Sequence, residues 1–366
     1  LDFLKAIKEL IMTPKAVQRD ILSFSLVYLV PVSVVAGSLL GGGFTFLTPV
    51  FVFGVVPVLD ILIGWDVRNP NDTEAGELER RREYRWLTWC CAPLQAAVVF
   101  CGAYVVSRGI LSPLETAGFT VSVGISSGIL GINVAHELVH RVNEKFEPVL
   151  GKIMLWTVLY GHWGDEHITG HHRWVATPVD PATARLGESY YGFWPRTVTG
   201  GFKSAWRFSL EKMGKKGRPV WHPVNPVMIT LAAEAVLLVV IGLLFGVAGL
   251  LFFAVQSVIA FSLLEIVNYI EHYGLVRKET GPGQYEPVRP YHSWNSSNWL
   301  TNRFLFNLQR HSDHHYKPAR RYQVLRHHDV SPQLPTGYAG MILLAVVPPL
   351  WRIIMDPHAA ASRPIE

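Results

Sequence analysis

The chain has 366 residues, enough for two ordinary soluble domains, but its composition excludes that picture. Hydrophobic residues make up 49%, charged residues only 17%, and mean hydropathy is +0.23, the balance of an integral membrane protein. The net charge of +5 is modest, and no nucleic-acid partner is expected. Twelve Trp suit the interfacial belts of a bilayer.

Residues 1–20 read as a surface helix. Phe3, Leu4, Ile7, Leu10 and Ile11 repeat at helical spacing beside Lys5, Lys8, Lys15 and Arg19, a pattern suited to an anionic membrane surface. Residues 1–19 lack the apolar core of a signal peptide. Six stretches then reach the length needed to cross a bilayer: Ile21–Gly41, Phe44–Trp65, Trp86–Ser107, Ser112–Ala135, Pro226–Val247 and Gly249–Ile270. They do not alternate, so they predict helices rather than barrel strands. Links one–two, three–four and five–six are very short, which predicts three helical hairpins. Those links hold only Arg108, whereas the N-terminal segment, the second loop (Arg68, Arg80, Arg81, Arg82, Arg85) and the long segments 136–225 and 271–366 hold the other cations. Positive charge therefore places both termini and both long segments in the cytoplasm. The expected fold is an all-α integral membrane protein: spans 1–4 over 21–135, spans 5–6 over 226–270, and a histidine-rich cytoplasmic cap from 136–225 and 271–366. The run Val149–Trp163 is too short to span and reads as an interfacial helix. The tail Gly337–Met355, broken by Pro348 and Pro349, reads the same way.

Nine histidines lie in four clusters: His136 and His140 in HELVH; His167, His171 and His172 in EHITGHH; His272 in NYIEHYG; His311, His314 and His315 in HSDHH. Several share helical faces at i, i+3 or i+4. Imidazole is a ligand of iron, zinc and copper. One ion rarely takes more than six protein ligands, so nine imply two ions with four or five imidazoles each. In the six-span topology all nine meet at the inner mouth of the bundle. Carboxylates beside them, Glu137, Asp165, Glu166, Glu271 and Asp313, are candidates to accept the second ring N–H or to bind metal directly. Glu265 and Asn268 share a face with His272 and are read as supports. Asp60 and Glu234 are further polar groups inside spans, Asp60 with a structural reading. HELVH alone fits a membrane zinc peptidase with Glu137 as base, but that leaves most of the histidines idle. The three cysteines, Cys90, Cys91 and Cys101, cannot supply the four thiolates of an iron–sulfur or rubredoxin-type centre.

The blocks NVAHELVHR, EHITGHHRWVATPVDPATARLGES, Val267–Leu275, PYHSWNSSNWLTN and LQRHSDHHYKPARRYQ, with PTGYAGM and MDPH near the end, resemble the AlkB-type membrane alkane monooxygenases. The related desaturases usually carry HxxxH, HxxHH and HxxHH; EHITGHH and the lone His272 depart from that plan toward the alkane hydroxylases. The resemblance implies terminal hydroxylation of medium-chain n-alkanes with dioxygen at two non-haem irons held by the nine histidines, in the bacterial inner membrane. Related di-iron desaturases and aryl-methyl hydroxylases are the neighbouring reading. Electrons are then expected from a rubredoxin served by an NAD(P)H-dependent rubredoxin reductase. An acidic rubredoxin makes Lys203, Arg207, Arg310, Lys317, Arg320, Arg321 and Arg326 candidate docking residues. Asp180 and His292, inside the matching blocks, are candidate supports of ligand histidines. Val52, Phe53 and Val56 are candidate walls of a substrate channel.

Overall fold

A computed structural model describes residues 16–362, and they are mostly helical. The surface helix expected over residues 1–20 lies largely outside the described residues. Among the described residues, five helices are long and apolar enough to cross a membrane: Asp20–Leu40, Gly42–Ile63, Arg82–Ser107, Pro113–Val139 and Pro226–His272. A small hairpin, Glu279–Gly281 with Gln284–Tyr285, is the one strand pairing among the described residues and sits outside the bundle of helices.

Local chemistry sets the ends of these helices. Ser112 and Glu115 form a capping box around Pro113, and the Asn225 side chain accepts N–H groups of Val227 and Met228 ahead of the last helix. Glu115 also accepts the Gly42 N–H at 2.6 Å, which ties the link between the first two helices to the start of the fourth. The last helix is not straight. At Gly246 (φ 64°, ψ −165°) it enters a conformation that L side chains avoid. Glu234, before the break, accepts the Gly161 N–H at 2.8 Å, and Glu265, after it, accepts the Tyr160 hydroxyl at 2.7 Å. A straight helix separates those two carboxylates by about 46 Å. The chain therefore doubles back at Gly246, close to where the sequence predicts a link at Ala248.

Pro113–Val139 is the central helix: 72% of its most apolar window is buried, against 22–39% for the others. Its small residues admit neighbours. A Cβ at Gly124 would lie 2.7 Å from the Ile259 side chain. The outward faces stay apolar, with Leu39, Ile61, Leu243 and Val247 among the exposed residues, as a lipid-facing surface requires.

The run Val149–Trp163 forms a helix, Glu147–Trp156, that packs one face on the end of the central helix and is followed by a turn with Leu159 at φ 52°. Gln95, midway along its helix, donates to Thr157 Oγ1 at 3.2 Å, and Gln256 donates to the Thr157 carbonyl at 3.0 Å. Irregular backbone at that depth is tolerable because protein side chains satisfy it. The tail forms two helices, Tyr338–Ala345 and Pro348–Ala361, that pack on Tyr269, Ile270 and Tyr273. Asp60 has the structural setting expected of it: it accepts the Thr301 N–H at 2.9 Å and the Thr301 hydroxyl, fixing helix Trp299–Phe304 to the second helix.

Gly124→Leu is expected to lower the thermal midpoint of detergent-solubilised protein, at a cost of about 1–3 kcal/mol. An unchanged midpoint would contradict the tight meeting of the central and last helices.

Candidate metal centre and apolar cavity

The nine histidines converge in two groups. His136, His140, His167, His172 and His314 form one; His171, His272, His311 and His315 form the other. Within each, the candidate ligand atoms lie within 4.8 Å of one another. HELVH places both its rings in the first group from one helical face. HSDHH divides: His311 and His315 serve the second group, His314 the first. EHITGHH divides too, and a π-helical turn over His167–His171 explains how. In an α-helix, His167 and His172 would point about 140° apart. The wider turn swings His172 back toward His167 and leaves His171 for the other group.

The geometry fits metal ions better than hydrogen bonds. His167 Nε2 lies 2.8 Å from His136 Nε2, 3.0 Å from His140 Nε2 and 3.1 Å from His172 Nε2. A ring nitrogen has one lone pair or one hydrogen and cannot satisfy three partners. Two nitrogens bound at right angles to one first-row ion at about 2.1 Å stand about 3.0 Å apart. The His172–His314 pair is at 3.0 Å, and in the second group His171–His315 and His272–His311 are both at 3.2 Å. Burial keeps His140, His167, His172, His311, His314 and His315 well below the ordinary imidazole value, so these rings are neutral and able to donate lone pairs. His171 is the exception. Burial pushes it down, but the Asp180 carboxylate, 2.9 Å from its Nδ1, more than offsets this. Asp180 is itself held by the Thr183 hydroxyl at 2.6 Å and the Ala182 N–H at 3.0 Å.

The other candidate supports are placed differently. Glu271 Oε1 lies 3.1 Å from His311 Nδ1, without hydrogen-bond alignment, and accepts the Tyr338 hydroxyl at 2.6 Å. Glu265 meets Tyr160, Thr197 and Asn268 rather than an imidazole. Glu137 turns to Arg141 at 3.4 Å, away from where a peptidase base would stand. Asp165 pairs with Lys152 at 2.9 Å. Glu166, bonded to Ser204 at 2.9 Å, is raised by burial to about 7. Asp313 faces Arg320 and His328, and His292 faces Glu286 and the Arg289 N–H. Of the docking candidates, Lys203, Arg207 and Lys317 are exposed. Arg320, Arg321 and Arg326 are in ion pairs with Asp313, Glu147 and Asp72. Arg310 corrects the expectation: it is buried, donating to the carbonyls of Leu325 and Asp66, and reaches no partner.

An apolar cavity abuts both groups. Val52, Phe53 and Val56 do line it, with Ile129 and Phe304, and His136, His167 and His311 form part of its wall. It leaves about 900 Å³ free of protein atoms, part of that open to the outside. Trp163 and Tyr338 also line it and were not singled out from the sequence. Trp163 stacks on His167, with centroids 4.4 Å apart; its position four residues before His167 was the available signal.

Residues 112–345 match the family model described as fatty acid desaturase. Alkane 1-monooxygenase 2 of Pseudomonas aeruginosa is 45% identical over 312 residues, 85% of this chain and 82% of that protein. The alkane 1-monooxygenase of Ectopseudomonas oleovorans is 42% identical over 305 residues, 83% of this chain and 76% of that protein. The chain belongs to the alkane 1-monooxygenase family. The xylene/toluene monooxygenase hydroxylase component of Pseudomonas putida is 28% identical, covering 88% of this chain and 85% of that protein. Membership makes the protein an enzyme, and the enzyme carries two imidazole groups, each able to hold a metal ion.

Two outcomes follow from this geometry. Asp180→Asn is expected to weaken metal retention about 10–100-fold in a chelator competition, whereas Asp313→Asn should leave it unchanged. In chelator-treated protein the six depressed imidazoles stay neutral when folded but take up protons when unfolded near their ordinary value of 6.5. Their contribution is therefore present above that pH and lost below it, while the raised His171 acts in the opposite sense as one group against six. Thermal unfolding followed from about pH 8 to about pH 5 should show the midpoint falling below about 6.5.

Proposed function

We propose that this enzyme hydroxylates the terminal carbon of medium-chain n-alkanes to 1-alkanols with dioxygen, at two non-haem iron ions, one in each imidazole group. The observation that carries the reading is the apolar cavity walled by rings from both groups. An n-alkane offers neither charge nor hydrogen bond, so a site can hold it only by shape and exclusion of water. The curated relatives act, by their names, on alkanes.

Bound iron supplies the redox chemistry by which one oxygen atom enters the C–H bond and the other leaves as water, with two electrons and two protons consumed. This chain's residues do the rest. The nine imidazoles hold the ions. Asp180 fixes the tautomer of His171 through Nδ1. Ile132, Val267 and Leu308 keep water from the inner end of the cavity, and Val52, Phe53 and Val56 bound the alkyl chain. Cys90, Cys91 and Cys101 all lie in the helix Arg82–Ser107, and none is disulfide-bonded. A rubredoxin, reduced by an NAD(P)H-dependent reductase, delivers the electrons, docking near Lys203, Arg207 and Lys317. The break at Gly246 supports a reading of the five long helices as six spans, which we assign to the inner membrane with the imidazoles on the cytoplasmic side.

Elemental analysis with iron spectroscopy on purified protein, followed by an octane-to-octanol assay with rubredoxin, tests the reading. Two irons per chain and 1-octanol as product are expected. One zinc without iron in a sample never stripped of metal would overturn it. His140→Asn and His315→Asn should each lose one ion and not the other. Val52→Trp should shift turnover toward shorter alkanes; an unchanged substrate range would remove Val52 from the channel wall.

A further inference from the structure

A second concavity lies on the outer side of the second histidine segment. Thr169 and Arg173 form one wall, Lys212 and Lys215 another, and Pro226 and Val227 a third. Several cations at the same end of the molecule are already neutralised. Arg85, Arg320, Arg321 and Arg326 are each paired with a carboxylate. Arg173, Lys212 and Lys215 make no ion pair among the described residues, and all three are exposed. Of the two carboxylates in the cleft, Asp165 is already paired with Lys152, which leaves only Glu211 against three cations.

The height of the cleft identifies its occupant. Pro226 and Val227 open a long apolar helix, so the cleft sits where that helix meets the headgroup layer. Trp221 is 74% exposed just before that helix, and Ile229 is exposed just inside it, which continues the cleft into the lipid-facing surface. An acidic protein has no reason to seek a cleft whose floor is the start of a span, whereas a phospholipid brings phosphate and acyl chain to that place together.

We propose that this cleft binds the phosphate-bearing headgroup of an anionic phospholipid. Lys212, Lys215 and Arg173 contact the phosphate, and the acyl chains lie along Ile229. The proposal rests on Pro226–His272 entering the bilayer and not on the reaction assigned above. The site also touches the metal centre's own scaffold. Thr169 lies inside the π-helical turn His167–His171, and Gly170 lets Phe208 approach so closely that a Cβ there would meet its ring at 2.8 Å. A bound headgroup thus clamps helix Tyr190–Lys215 against the turn that aims three of the imidazoles.

The test is lipid retention by the full chain, measured by native mass spectrometry from micelles containing phosphatidylglycerol and phosphatidylcholine. Wild type should retain phosphatidylglycerol selectively. Lys212→Gln/Lys215→Gln should weaken that retention about 30-fold, on the order of fivefold per cation, with circular dichroism unchanged in phosphatidylcholine. Lys203→Gln/Arg207→Gln, on the same helix outside the cleft, should leave it intact. Equal retention of both lipids, equal loss in both double variants, or full displacement by inorganic phosphate at constant ionic strength would each overturn the proposal. So would unchanged phosphatidylglycerol retention in the Lys212→Gln/Lys215→Gln variant, which would leave the cleft to a protein partner. Iron content and alkane turnover do not enter this readout.

Discussion

Nine imidazoles aim their ring nitrogens at two small volumes, and most of the architecture follows from that crowding. Lone pairs brought to about 3 Å repel unless a cation lies between them. Burial stops most of the rings from escaping the repulsion by protonating. The protein must therefore hold them by force of scaffold. The central helix and the residue that caps it supply two rings, the end of the last helix one, a π-helical turn with the residue after it three, and a six-residue helix the other three. The last two elements are short, and side chains that have nothing to do with imidazole pin the surrounding segments: Asp60 on Thr301, Gln256 on Thr157, and Arg303 on Asp20 at 2.8 Å.

The long helices and the nine histidines were legible in the sequence because both are periodic or compositional signals. Twenty apolar residues read as a span wherever they occur, and clustered histidines read as ligands. The partition into five and four was not legible. It depends on the π-helical turn, and an i, i+5 spacing points to one only after the outcome is seen. The carboxylates show the limit most clearly. Glu137, Glu166 and Asp313 were singled out because they adjoin histidines in the chain. On a helix, adjacency in sequence points a side chain about 100° away from its neighbour, and all three face other partners. Asp180, nine residues from His171 across an irregular loop, is the carboxylate that reaches a ring squarely. Arg310 was misplaced for a similar reason: a cation in a polar block looks exposed until the fold wraps carbonyls around it.

The two sides of the centre have opposite chemistry. Toward the bundle the rings face Ile132, Val267 and Leu308; on the other side lie ion-paired loops from Glu144 to Arg326. This arrangement separates an oily approach from a wet one without a moving part. The segment Glu147–Trp156 lies beside the centre with one face buried. Packed against the end of the central helix and against Arg82–Ser107, it returns the chain to the second histidine cluster.

The division of HSDHH between the groups has a consequence for how the protein is made. His314 completes one group and His315 the other, although the first rings of the site are laid down at His136. Neither group of imidazoles is complete until every long apolar helix has left the ribosome. During synthesis the early histidines wait in a half-built bundle. Completing either group is a late event that joins the first half of the chain to the last, so a nascent chain stalled between the long helices has no finished cage in which a metal ion could be held.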